Sequence, residues 1–372
     1  MPYSELALVK HRIQLGAPLP FHVRDADATL LLARGQVIAS GQQLEALLRR
    51  GALVDLHELM SESDHIRLAP KERLPGLWRD CFTSVADTLT HGDHTTFRMA
   101  LEASVAPALS LVQRDPDLAI FQVLRQDANE FVRYGMDHSL HAAIAAFLVT
   151  RRLGWNEAEC ERAFKAALTM NISMLELQGQ LAQQVEPLSA EQREAVQAHP
   201  EFSVRMLTLA GITDADWLNG VAHHHESQDG QGYPGGRRQI SDLAAVLHRA
   251  DRYAAKLSPR AHRAAMPADQ ASRSLFSQDP GHPITAALVK EFGVYPPGCF
   301  VRLINGETGV VVQRGPSVTT PRVAVLGTAD GRLLRQPLRR DTAVKAHAVH
   351  SVLEGHPGFR QVAPEVLMQL TD

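Results

Sequence analysis

The most informative stretch of this sequence reads His223-His-His-Glu-Ser-Gln-Asp-Gly-Gln-Gly-Tyr-Pro-Gly-Gly236. Trp217 and Val221 stand four residues apart, and this spacing predicts a helix that ends at the three consecutive histidines. Asp229-Gly230 and Pro234 then predict a turn. Neighbouring histidines at a helix end can share one cation, because neutral imidazole is a good ligand for zinc, iron or manganese. A structural role as cap or surface residues explains the triplet equally well.

Helical patterns lie on both sides of this stretch. Asn156 with Glu159, and Ser189 with Gln192, have the spacing of a capping box. In this motif the side chain of each residue accepts a hydrogen bond from the backbone amide of the other. A helix is therefore expected to begin at each pair. Pro200 is expected to begin a new segment, because proline lacks the amide that a helix interior uses.

The two ends of the chain have a different character. Phe300–Ile304 and Thr308–Val312 are apolar and flank Asn305-Gly306, which predicts an antiparallel hairpin because this dipeptide accepts the positive φ angles of a tight turn. The prediction is a mainly α chain in three parts: a small N-terminal α/β module (1–70), a helical domain (77–283), and a C-terminal β unit and tail (284–372).

Composition narrows the class of protein. The chain has 372 residues, of which 45% are hydrophobic and 21% charged, as in ordinary globular proteins. Its 38 basic and 41 acidic residues leave a net charge of -3, so a nucleic-acid polymer is not an expected partner. The apolar run Ala142–Val149 is far shorter than the ~20 residues of a membrane span. Cys81, Cys160 and Cys299 form no CxxC pair or disulfide pattern, so a reduced, cytoplasmic protein is expected.

The run from His224 to Pro234 resembles the signature of the HD-GYP family, which consists of helical, metal-dependent phosphohydrolases that degrade the bacterial messenger cyclic di-GMP. Asp137-His-Ser139, Leu188–Gln192 with His199-Pro200, and Asp251-Arg-Tyr253 resemble further segments of that family. The resemblance implies an HD-type helical bundle, a bacterial source and a homodimer. It implies metal ligands at His138, His199, His224, His225 and Asp251. As ligand-binding residues the sequence suggests Tyr233, Arg237, Arg260 and Arg263.

The chain departs from the family where the His-Asp pair should stand. Thr169–Met174 occupies the place of Leu-His-Asp-Ile-Gly-Lys, with Met170 for the histidine and Asn171 for the aspartate, and no His-Asp dipeptide occurs in the chain. In the family that aspartate is understood to bridge two metals, which together clamp the attacking and leaving oxygens. A neutral asparagine cannot supply this charge. At most one divalent zinc, iron or manganese ion is expected, on the three histidines at 199, 224 and 225.

Three interpretations of function follow. The first is a cyclic di-GMP signalling protein with a degenerate, non-catalytic HD-GYP domain that binds the nucleotide or a partner protein. The second is a residual metal-dependent cyclic di-GMP phosphodiesterase. The third is a protein-interaction module that works through its terminal β units. The Met170-Asn171 pair argues against the enzyme but does not separate the other two interpretations.

Overall fold

A computed structural model describes residues 3–91, 95–125, 133–353 and 362–371 of the chain. The chain divides into two units, Met1–Ala69 and Pro70–Asp372. Among the described residues, no helix combines the length and the apolar character that a membrane crossing requires. The finer division into three domains stays a prediction.

The N-terminal unit combines a small antiparallel sheet with short helices. Its strands are β1 (Tyr3–Glu5), β2 (Val23–Arg24), β3 (Leu30–Leu32) and β4 (Leu53–Asp55), in the order β1-β4-β2-β3. Its helices are α1 (Leu6–Val9), α2 (Gly41–Arg49), α3 (Leu56–Leu59) and α4 (Glu62–Leu68). Leu6, Phe21, Val23, Ile38 and Val54 form most of its small apolar core.

The second unit is mainly helical. Its helices are α5 (Leu74–His91), α6 (Phe97–Arg114), α7 (Pro116–Leu124), α8 (Tyr134–Arg152), α9 (Glu157–Thr169), α10 (Leu175–Gln183), α11 (Ala190–Leu209), α12 (Ala215–His223), α13 (Asp242–Leu257), α14 (Ala268–Gln278), α15 (Pro283–Phe292) and α16 (Pro364–Met368). A single turn of 3₁₀ helix, Ile172–Met174, joins α9 to α10. The expected capping boxes are confirmed, at Asn156 before α9 and at Ser189 before α11.

Helix α8 is the centre of this bundle. Every residue from His138 to Thr150 is buried, and the helix packs against α9, α10, α13 and α15. Gly135 lies so close to α10 that an added Cβ would stand 2.4 Å from the carbonyl oxygen of Leu175. Only glycine permits this approach, and it fixes the end of α8 that carries His138.

The expectation at Pro200 is wrong, because α11 continues through this residue to Leu209. Proline removes one amide from the helix, but the chain before and after it keeps helical geometry. His199 and Pro200 are both buried inside α11, so packing in the bundle opposes the break that proline favours in isolation.

The C-terminal sheet is antiparallel, with strands β5 (Phe300–Leu303), β6 (Thr308–Gln313), β7 (Arg322–Gly327), β8 (Leu333–Asp341) and β9 (Val349–Leu353) in the order β8-β7-β6-β5-β9. The expected hairpin joins β5 to β6, and Gly306 in its turn has a φ of 85°. Val301, Val311, Val323 and Val325 lie in the sheet's core. The predicted fold class is confirmed: a helical bundle with a small N-terminal sheet and a C-terminal antiparallel sheet.

Candidate metal and ligand site

A pocket of about 200 Å³ opens among α8, α10, α11, α13 and the loop that follows α12. Six of the residues singled out from the sequence line it: His138, His199, His225, Tyr233, Asp251 and Arg260. His224 is fully buried beneath the pocket, in contact with His199. Arg237 and Arg263 are not among the lining residues. The bundle therefore brings together residues separated by more than a hundred positions in the sequence.

The first half of the pocket is a histidine cluster made of His199, His224 and His225. One ring nitrogen from each of these residues lies within 4.8 Å of the other two. The closest pair is His199 Nε2 and His224 Nε2, which are 3.1 Å apart. Helix α11 supplies the first histidine, and the end of α12 supplies the other two.

The hydrogen bonds of the cluster fix the position of its protons. His199 Nδ1 donates to the carbonyl oxygen of Val196 at 2.6 Å, and His224 Nδ1 donates to that of Val221 at 2.7 Å. Burial lowers the pKa of His199, and burial with the neighbouring histidines lowers that of His224 further, so both rings are neutral at pH 7. A neutral imidazole with its proton on Nδ1 carries a lone pair on Nε2.

Two lone pairs therefore face each other across 3.1 Å. Such a contact is unfavourable unless a positive centre lies between or beside the two nitrogens, and a metal ion bound by neutral imidazole is the usual solution in proteins. His225 adds a third nitrogen. This set of donors fits one divalent ion of the zinc, iron or manganese class.

Pro200 explains why His199 adopts this orientation. In a regular helix the amide of residue 200 would donate to the carbonyl of Val196, four positions earlier. Proline has no amide, so this carbonyl is left without its helical partner, and His199 Nδ1 takes the vacant acceptor. The His-Pro sequence thus provides a hydrogen bond that orients one histidine of the cluster, as outer hydrogen bonds do for the histidines of metal sites.

Tyr233 and His225 form the wall of the pocket next to the cluster. Their rings are stacked, with centroids 4.5 Å apart and planes inclined by 19°. Burial lowers the pKa of His225 to about 3 and raises the pKa of Tyr233. Both side chains are therefore uncharged at pH 7, and the tyrosine holds the imidazole in place by packing.

The other half of the pocket is an acidic cluster made of His138, Asn171 and Asp251. His138 Nε2 donates to Asp251 Oδ1 at 2.9 Å, and Asn171 Nδ2 lies 3.4 Å from the same oxygen. Burial raises the pKa of Asp251, but the hydrogen bond and charge of His138 lower it more, so this carboxylate stays ionised. In the part of the chain that the structure describes, His138 Nδ1 is buried without a hydrogen-bond partner.

Of the three arginines named from the sequence, one reaches the pocket. Arg260 Nε donates to the hydroxyl of Tyr134 at 3.1 Å, and its guanidinium lies 5.4 Å above that ring. Arg263 instead donates to the backbone carbonyl of Ala255 at 2.6 Å, which ties its own loop to α13. The backbone amide of Arg237 takes part in closing the loop after α12, while its side chain is exposed.

Two residues near the pocket were not singled out from the sequence. Glu226 is fully buried and accepts hydrogen bonds from the amides of Gly235 at 2.7 Å and Arg237 at 2.8 Å. His248 Nδ1 donates to the carbonyl oxygen of His224 at 2.9 Å. Glu226 could have been found from its place inside the quoted motif. Nothing in the sequence marks His248, because its partner is 24 residues away.

Comparison with known proteins agrees with this geometry. Residues 125–280 match the model of the HD domain. The cyclic di-GMP phosphodiesterase PA4108 of Pseudomonas aeruginosa is 31% identical over 228 residues, which are 60% of this chain and 54% of that protein. The 3'3'-cGAMP-specific phosphodiesterase 3 of Vibrio cholerae is 31% identical over 147 residues, which are 37% of this chain and 30% of that protein.

Among solved structures, the HDG"Y"P protein Bd1817 from Bdellovibrio bacteriovorus has the same fold, with a TM-score of 0.50 and 14% identity over 77% of this chain and 97% of that one. The chain spans about half the length of the first curated relative, and less of the second. The resemblance drawn from the run His224–Pro234 is confirmed. Residues 125–280 match the HD domain, and the chain is similar in sequence to two cyclic-dinucleotide phosphodiesterases.

Proposed function

We propose that this chain is a cyclic di-GMP signalling protein whose HD domain binds the nucleotide, or a partner protein, and does not hydrolyse the nucleotide efficiently. The observation that carries the proposal is the position of Asn171. Its amide nitrogen lies 3.4 Å from Asp251 Oδ1, the oxygen that also accepts from His138. Two nitrogen donors thus already engage one oxygen of the carboxylate on this side of the pocket.

The charge of the acidic cluster supports the same conclusion. Asp251 contributes its only carboxylate, because Asn171 is neutral where the family resemblance implies an aspartate. Two divalent ions held close together repel each other strongly, and a bridging carboxylate normally offsets that repulsion. Without the bridging carboxylate, the acidic cluster does not favour a second ion.

The histidine cluster suits one ion at most. His199, His224 and His225 would hold it, through the nitrogens that lie within 4.8 Å of one another. A divalent metal, when bound, polarises a phosphate oxygen and makes a bound water more acidic. The chain itself holds the Nδ1–H groups of His199 and His224 in hydrogen bonds to backbone carbonyls, so that the Nε2 lone pairs stay available.

Arg260 is the residue that supports recognition of a phosphate. It lines the pocket together with the acidic cluster. Its Nε donates a hydrogen bond to Tyr134, and its Nη groups donate none to the residues that the structure describes. An arginine held by stacking and one hydrogen bond is preorganised to bind a phosphodiester with two parallel hydrogen bonds. Tyr233 also lines the pocket, and its ring offers a planar surface.

The test is to measure metal content by elemental mass spectrometry after purification without chelator, and then to titrate cyclic di-GMP into the same sample by calorimetry. We expect no more than one equivalent of metal, saturable binding, and an unchanged nucleotide by chromatography. Arg260→Ala should weaken binding, while Arg193→Ala, on the exposed face of α11, should not. Two equivalents of metal with rapid turnover would overturn the proposal.

A residual one-metal phosphodiesterase is the second candidate, and the facing lone pairs of His199 and His224 favour it. It predicts slow, metal-dependent turnover that disappears in His225→Ala. Turnover that survives this substitution would exclude it. If cyclic di-GMP neither binds nor reacts, a module that binds another protein, or a second copy of this chain, becomes the better description.

A further inference from the structure

A second pocket lies apart from the histidine site. It has a volume of about 880 Å³ and lies where α7, α8 and α15 meet the loop that joins β6 to β7. We call it the junction pocket and define it by Asp117, Arg152, Glu291 and Arg314. Its volume lies within the ~300–1,000 Å³ that is usual for small-molecule sites. It shares no lining residue with the histidine site.

Its charge is predominantly positive. Four basic side chains line it, against the two acidic ones of Asp117 and Glu291: these are Arg151, Arg152, Lys290 and Arg314. Both carboxylates already accept hydrogen bonds from Arg314, and Glu291 also accepts from Arg152. The acidic charge is thereby used to hold two guanidinium groups in place.

These ion pairs leave donors for a ligand. Arg314 uses Nε and Nη1 on its two carboxylates and on the carbonyl oxygen of Glu291 at 2.9 Å, which leaves Nη2. Arg152 uses Nε, which leaves both terminal nitrogens. Arg151 and Lys290 are exposed and form no ion pair within the described residues. The arrangement offers oriented arginine forks with surplus positive charge, which is the chemistry that binds phosphate.

One wall of the junction pocket is apolar. Phe292, Tyr295 and Val318 line it, together with prolines of the β6–β7 loop. Phe292 is fully buried, Tyr295 is partly buried and Val318 is exposed. A ligand that fills the pocket therefore combines an anionic group with a planar or apolar body. A free inorganic anion would leave the apolar wall uncovered.

We infer that the junction pocket binds a nucleoside phosphate, with its phosphate on the arginines and its base against Tyr295 and Val318. The inference does not depend on the function proposed for the histidine site. Both sites are on α8, with His138 near its beginning and Arg151 near its end. At 1.5 Å per residue they lie about 20 Å apart along the helix axis.

The test is calorimetric titration of AMP and GMP into the full chain, with adenosine and inorganic phosphate as partial probes. We expect at least one mononucleotide to bind, and to bind more tightly than either partial probe. Arg151→Ala/Lys290→Ala should weaken that binding about tenfold or more, since hydrogen bonds to charged groups are the strong ones. Binding should also weaken with added salt.

The matched control is Arg193→Ala/Lys345→Ala, which removes the same charge from exposed positions elsewhere and should bind normally. His225→Ala should also bind normally, because the histidine site is separate. The inference is wrong if neither mononucleotide binds at millimolar concentration, if adenosine binds as well as AMP, or if phosphate alone binds as well. It is also wrong if His225→Ala abolishes binding while the Arg151/Lys290 variant retains it.

Discussion

The two halves of the central pocket have similar residues and opposite hydrogen-bond states. In the histidine cluster, the Nδ1 protons of His199 and His224 are bound to backbone carbonyls, and their Nε2 lone pairs face each other. In the acidic cluster, Asp251 Oδ1 is engaged by His138 and approached by Asn171. The lone pairs of the histidine cluster have no hydrogen-bond donor between them, whereas the carboxylate of the acidic cluster already has nitrogen donors from the protein.

This difference shows that the presence of ligand-type residues does not by itself make a metal site. What matters is whether their lone pairs are free at the pH of interest. A backbone carbonyl that accepts a hydrogen bond from Nδ1–H of an imidazole leaves the Nε2 lone pair available for a cation. An amide placed against a carboxylate has the reverse effect, because it satisfies the oxygen without any ion.

The largest effect is expected from His224→Ala, which removes a fully buried imidazole from the histidine cluster. Metal affinity should fall by more than the ~10–100-fold that loss of an outer-shell partner costs. Elemental mass spectrometry after dialysis measures the remaining metal. The control is His223→Ala, which changes the preceding histidine, outside the cluster. Equal metal content in both variants would contradict the assignment.

The second largest effect is expected from restoring the His-Asp pair in the acidic cluster. Met170→His/Asn171→Asp places a second carboxylate against Asp251, and two adjacent carboxylates favour a bound cation. We expect one additional equivalent of metal and measurable hydrolysis of cyclic di-GMP. Met170→His alone is the control, since it adds the imidazole without the charge. If the double variant binds no more metal than this control, the loss of the aspartate does not explain the single-ion site.

A third test measures the effect of burial on a histidine that takes no part in either cluster. This residue is His141, which is buried one turn after His138. Burial, with a smaller contribution from the charge of His138, lowers its pKa from 6.5 to about 3. The unfolded chain therefore takes up this proton below about pH 6.5, whereas the folded chain does not. The free energy of unfolding should fall by about 2 kcal/mol between pH 7 and pH 5 from this group.

Urea unfolding at both pH values, in the presence of chelator, measures this loss. His141→Gln should lose about 2 kcal/mol less than the wild type over the same interval. The buried histidines at 199, 224 and 225 contribute to the slope in both proteins, so the difference between the two proteins isolates position 141. An identical slope in the variant would show that this histidine is already protonated in the folded chain at pH 5.

The smallest effect is expected from Pro200→Ala. An alanine amide at this position competes with His199 Nδ1 for the carbonyl of Val196, so the imidazole loses its fixed orientation. Metal affinity should fall by about tenfold, with no loss of helix stability. Pro107→Ala, which changes the proline inside α6, is the control and should leave metal affinity unchanged. A wild-type affinity for Pro200→Ala would refute the role given to the proline.

Local rules predicted much of the fold. The capping boxes at Asn156 and Ser189 depend on residues three apart, and the hairpin depends on the adjacent residues Asn305 and Gly306. All three features are present. The expectation at Pro200 failed because it weighed one missing amide without the burial around it. A local pattern cannot report the packing of α11 against its neighbours.

The sequence could also name the residues of the site, but not their roles. Whether Asn171 donates to Asp251, and which arginine faces the pocket, depends on helices far apart in the chain. Arg260 lines the pocket, whereas Arg263 turns to the backbone of α13, although the two differ by three positions. The direction of a side chain in a loop follows from tertiary contacts that no spacing encodes.

Glu226 has a consequence for how the loop after α12 moves. A single buried carboxylate binds the amides of Gly235 and Arg237, so the residues from 226 to 237 form a closed ring next to His225. Each of these two amides can exchange its hydrogen with solvent only when its bond to Glu226 opens, so we expect slow exchange at both positions. A molecule that displaces the tip of the loop therefore also shifts Glu226, the residue next to His225 of the histidine cluster.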